Sequence, residues 1–85
     1  MITVKEATAI AIGHVAELFP GSTEVMLEEV ELTADEKFWL ITVSFRRVPN
    51  QPTLLMTAFR GEKEYKIIKV SSLDGKPLSI KIRQL

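Results

Sequence analysis

The sequence predicts an α+β domain: one N-terminal helix packed on a four-stranded antiparallel meander sheet. Three observations predict it. A single stretch near the N-terminus repeats apolar residues every three to four positions, the period of a helix face. Beyond it the apolar pattern has a period of two, interrupted by polar turn clusters. The run Phe38–Arg47, FWLITVSFRR, alternates along its whole length, with Trp39, Ile41, Val43 and Phe45 on one face. Such a row needs a cover, and the helix is the element able to supply it.

The helix begins at a capping box, Thr3-Val4-Lys5-Glu6. There the Thr3 hydroxyl can accept from the Glu6 amide while the Glu6 carboxylate reaches back. Val4, Ala7, Ala11, Val15 and Leu18 then form one stripe, with Ile12 and Phe19 at its margin. The small Ala7 and Ala11 allow close approach to a sheet. Ile10, between Glu6 and Glu17, is expected on the solvent side. Pro20-Gly21 ends the helix. Gly13 costs about 1 kcal/mol relative to alanine inside a helix, and the sequence offers no reason for it.

A first strand is expected over 24–32, EVMLEEVEL. Val25 and Leu27 are out of phase with Val30 and Leu32, and a bulge near Glu28-Glu29 would return all four to one face. Residues 33–37 form a polar hairpin loop. The second strand, 38–47, ends before Val48-Pro49-Asn50-Gln51-Pro52. A fifth short strand over 53–60 is the preferred reading of the segment that follows, a flap of exposed apolar residues the alternative. A strand over 65–70 is expected next, with Tyr65/Ile67 and Ile68/Val70 both candidates for the core face. Leu73-Asp74-Gly75-Lys76 is a hairpin turn in which Gly75 supplies a positive φ. Pro77 suits the start of an edge strand, in which Leu78, Ile80 and Ile82 should face the core.

With 85 residues the chain makes a single domain, and with no cysteine it must hold together without disulfides or thiolate–metal sites. Net charge is zero but divided: residues 1–36 carry −7 and residues 37–85 carry +7. The halves are expected to neutralise one another across paired strands; a directional surface for an acidic partner is the alternative. No apolar run is long enough to span a bilayer and no signal peptide is visible, which points to the cytoplasm unless an export segment has been removed.

The order of elements resembles the PepSY-like domains. The likeness rests on a helix with Ala7 and Ala11, an acidic strand, the Trp-led strand WLITVSF and the closing hairpin YKIIKVSSLDGKPLSIKI. It covers most of the chain outside roughly 48–62. The chain carries Ser71-Ser72 where that family often has an acidic residue. The resemblance implies a cystatin-like helix laid on an antiparallel sheet, and a non-catalytic binding or inhibitory module. It transfers no functional residue.

No catalytic residue, metal site or cofactor is expected. His14 is the one histidine, with no second ligand nearby in sequence, and adjacent Glu28 and Glu29 point to opposite faces of a strand. No nucleophile elbow or phosphate loop occurs. The expected function is a small protein-interaction module that binds a protein partner or associates with itself as a homodimer. Its surface would comprise Phe38, Leu40 and Arg46 on the uncovered sheet face, with Leu54, Met56 and Phe59. Against this stands the reading that Phe38 and Leu40 merely pack under the 53–61 segment. Nucleic-acid binding through Arg46, Arg47, Arg60, Lys63, Lys66, Lys69, Lys81 and Arg83 is the alternative function. The zero net charge and the lack of a reading motif argue against it.

Overall fold

The computed structural model describes residues 1–47 and 63–84, which form one helix and four strands: α1 (Val4–Leu18), β1 (Ser22–Leu32), β2 (Phe38–Arg47), β3 (Lys63–Ser71) and β4 (Pro77–Ile82). The strands pair in chain order as an antiparallel meander, and α1 lies across one face. The expected α+β architecture is therefore the observed one. The fifth strand expected over 53–60 lies outside the described residues.

The capping box closes as its spacing requires. Glu6 N donates to Thr3 Oγ1 at 3.1 Å and Thr3 N to Glu6 Oε1 at 3.2 Å, satisfying two helix-end donors. Ala7, Ala11 and Val15 are fully buried against Ile41, Val43 and Phe45 of β2 and Ile68 and Val70 of β3. The ends of the expected stripe are not: Val4 is 43% and Leu18 48% exposed. Three residues one turn inside bury instead of five because a straight helix crosses a twisted sheet and diverges from it at both ends. Gly13 faces open space, and nothing in the structure explains it. Gly13→Ala should therefore stabilise the fold by about 0.5–1 kcal/mol, the alanine–glycine difference in helix propensity. Urea unfolding measures this, and a loss of stability would show that a side chain there is harmful.

In β1 the alternation slip resolves as a bulge. Leu27 pairs with Val43 and Glu29 with Thr42, leaving Glu28 as the extra residue. Val25 and Val30 consequently both pack against the core from the helix side. A second irregularity, between Thr23 and Met26, has no sequence signal, and Glu24 there adopts a positive φ of 53°.

The competition within β3 is settled by its partner. Trp39 pairs with Val70 and Ile41 with Ile68, so Ile68 and Val70 join the core while Tyr65 and Ile67 turn to the opposite face. The turn after β3 places Gly75 at φ +76°, as expected, and a Cβ built on it would come within 3.0 Å of Ile10 Cδ1. That contact corrects the placement of Ile10. The β3–β4 turn folds back against the helix, so Ile10 packs partly buried against the core.

β4 corrects a second expectation. Ile80 packs against the core, but Leu78 is 53% and Ile82 72% exposed. Leu78 is the extra residue where the β3–β4 register shifts, Lys69 pairing with Ser79 and Val70 with Pro77, and Ile82 lies at the end of the strand opposite Lys66, outside the buried cluster.

Candidate interaction surface

The sheet has one face under α1 and one face that no described helix covers. On the second face β2 presents Phe38, Leu40, Thr42, Ser44 and Arg46. Tyr65, Ile67 and Lys69 flank this row from β3, and Met26, Glu29 and Glu31 from β1. Phe38 and Leu40 are half-buried and Arg46 is half-exposed. Lys69 Nζ stands 4.1 Å above the Phe38 ring, a cation–π contact that keeps an aromatic surface compatible with water. Leu54, Met56 and Phe59, the remaining residues expected on this surface, lie outside the described residues.

Phe38 also borders a depression of about 480 Å³ at the end of the sheet. Its other walls are Met1, Glu36, Lys37, Ser71, Ser72 and Leu73, with Met1 and Leu73 largely exposed. The floor is rigid because three chain segments are tied together there. Ile2 N donates to Ser72 O at 2.7 Å, and Ser72 N donates to Lys37 O at 2.9 Å. The Ser72 hydroxyl donates to Glu36 O at 2.6 Å, and the Trp39 indole donates to Ile2 O at 3.3 Å. Ser72 is thus a buried polar residue with its hydroxyl satisfied. Sequence reasoning gave no role to Ser72 or Ile2, because backbone carbonyls that meet through folding leave no residue pattern.

The divided charge closes across the sheet. Arg46 pairs with Glu24 at 2.9 Å, Lys63 with Glu28 at 3.2 Å and Arg83 with Glu29 at 3.0 Å, each joining the basic half to the acidic half. Arg83 reaches from the C-terminal end of β4 and also donates to Thr42 Oγ1 at 2.8 Å, crossing the face over β3. The Lys63 ammonium holds the Glu28 carboxyl below its ordinary value. On the helix side Arg47 grips Glu64 through Nε and Nη2, the latter at 2.6 Å, which depresses the Glu64 carboxyl in turn. The Arg47 guanidinium and the Lys66 ammonium lie 4.9 and 5.5 Å from the centre of the Phe19 ring, closing the C-terminal end of the helix.

Comparison with protein-family models, with curated proteins and with solved structures finds no match. Among the described residues no three acidic or histidine side chains gather so as to hold a metal ion, and no helix is long and apolar enough to cross a membrane. His14 is half-buried on the helix flank. Of the basic side chains considered for nucleic acid, Arg46, Arg47, Lys63 and Arg83 are each ion-paired, and Lys66 is 3.8 Å from Glu64. Arg60 lies outside the described residues.

Proposed function

We propose that the protein is a small non-catalytic protein-interaction module, binding or inhibitory in the manner of the PepSY-like domains it resembles. Its working surface is the Phe38 end of the open sheet face. The observation that carries this reading is the mainly apolar depression bounded by Phe38, Met1 and Leu73, whose Phe38 is half-buried and shares with half-buried Leu40 the sheet face turned away from the helix. A two-layer fold uses one sheet face for its core, and an apolar patch with a rigid floor on the other marks a place for a partner's side chain. The ion pairs across the same face support a protein partner over a nucleic acid, since phosphates would have to compete with Glu24, Glu28 and Glu29 for the same cations.

The double variant Phe38→Ser/Leu40→Ser tests the surface. Tagged wild-type and variant chains, both checked for the same far-ultraviolet circular dichroism, would be used to capture partners from the native host. Partners held by the wild type should be lost from the variant. Truncation of central apolar contacts costs more than about 1 kcal/mol each, so retention should fall at least tenfold. A variant that binds all partners unchanged would remove Phe38 and Leu40 from the function.

A further inference from the structure

The two edges of the sheet are complementary to one another, and this carries a specific mode of self-association. Among the described residues β1 is the acidic edge of the sheet and β4 the basic edge. In antiparallel pairing alternate residues direct their backbone groups towards the partner strand. Thr33 N donates to Phe38 O, so Glu31 and Glu29 direct theirs to β2 while Val30 and Leu32 direct theirs outward. Arg83 N donates to Tyr65 O, so Lys81 directs its groups to β3 while Ile80 and Ile82 direct theirs outward.

We infer that β4 of one copy adds to β1 of a second copy, antiparallel, with Ile82 opposite Val30 and Ile80 opposite Leu32. Four features agree with this pairing, and the charge pair and the groove select its register. The outward backbone groups of Val30 and Leu32 meet those of Ile82 and Ile80. Lys81 falls opposite Glu31, and this is the charge pair the register adds, since Arg83 and Glu29 are already paired with each other within the chain. Neither Lys81 nor Glu31 has an ion-pair partner among the described residues. Ile82, 72% exposed in its own chain, falls beside an apolar groove of about 420 Å³ formed between α1 and β1 by Val4, Thr8, Ile12 and Leu27. Finally, a sheet of four strands has antiparallel edges, so a head-to-tail copy continues the alternation of strand direction and keeps its helix on the same side.

The interface is heterologous, the two copies contributing different surfaces. Repeated, it extends a sheet or closes a ring instead of stopping at a symmetric dimer. It rests on the reading of this chain as an interaction module but uses other residues than Phe38 and Leu40.

Sedimentation velocity of the full chain over a range of concentrations, at low and at high salt, tests it with Glu31→Lys, Lys81→Glu and their equimolar mixture. The wild type should associate, more strongly at low salt because the facing charges are exposed. Each single reversal sets like charges opposite one another and should weaken association about tenfold. The mixture should regain it. When the two variants alternate, the acid introduced at position 81 of one faces the base introduced at position 31 of the other. At the next interface the unaltered Lys81 and Glu31 face each other, so every contact again joins opposite charges. A wild type that is monomeric throughout overturns the inference. So does association that both reversals leave intact, which would indicate a symmetric β4–β4 contact or a contact through the open face. Failure of the mixture to recover overturns it as well. Loss of association in Phe38→Ser/Leu40→Ser with no effect of either reversal would leave the open-face reading standing and remove the edge pairing alone.

Discussion

Phe45→Ala should destabilise the fold by about 3–5 kcal/mol, the usual cost of truncating a buried phenylalanine. Phe45 is fully buried at the end of the β2 core row, and its ring centroid lies 5.2 Å from that of Phe19, tilted by 31°. Phe19 follows directly on the last residue of α1 and carries the Arg47 and Lys66 cations on its ring. Truncation at 45 therefore removes more than one side chain's transfer energy. It leaves a cavity beneath Phe19 that the helix end can fill only by shifting, and a shift would disturb the Arg47–Glu64 pair. A domain of this size has a total stability of about 4–13 kcal/mol at roughly 0.05–0.15 kcal/mol per residue. The variant should thus be partly unfolded without denaturant or unfold at much lower urea. Phe45→Leu, which keeps most of the volume, should cost under about 2 kcal/mol. A loss below about 1 kcal/mol in Phe45→Ala would mean that the helix end does not pack on β2 as described.

The core row on β2 was legible because every second residue from Trp39 to Phe45 is large and apolar while the residues between are mixed, and only one register buries such a row. The β1 bulge was legible for the same reason: two apolar pairs in opposite phase require an extra residue between them. β3 was not, because Tyr65, Ile67, Ile68 and Val70 are apolar on both faces, and the choice lies in its pairing to β2 rather than in its own pattern. Ile10 was misplaced because the residues that cover it come from a distant turn of the chain, at Gly75. Leu78 was misplaced because the register shift beside Pro77 breaks the alternation, and Ile82 because alternation reports which face a side chain takes and not whether anything covers it there. On the candidate surface, Phe38 and Leu40 were placed on the open face by alternation alone. The depression beside Phe38 was out of reach, since Met1, Ser72 and Leu73 arrive there through backbone hydrogen bonds between three separate segments.

The second large effect concerns the layer between helix and sheet. Ala11 is fully buried at the middle of the helix stripe, where the absence of a longer side chain lets α1 lie close on β2 and β3. Ala11→Asp should leave the chain unfolded or nearly so at neutral pH. An unpaired carboxylate in an apolar layer raises its pKa by up to about 3–5 units, and because the penalty accrues at about 1.4 kcal/mol per pH unit only from the unfolded pKa upward, it reaches about 4 kcal/mol at neutral pH. The sign of its pH dependence separates this cause from mere crowding. A group whose folded pKa is raised carries no charge penalty below its unfolded pKa of about 3.9. The penalty then grows as pH rises until the folded pKa is passed. The stability gap between Ala11→Asp and the wild type should therefore narrow on acidification. Ala11→Leu, which overfills the same layer at about 1–3 kcal/mol, should show a gap that does not change with pH. Urea unfolding of the three chains at neutral pH and at about pH 4, close to the unfolded carboxyl pKa, distinguishes the two. A gap for Ala11→Asp that is small and independent of pH would place residue 11 at the surface of the helix and dissolve the helix–sheet layer on which the fold depends.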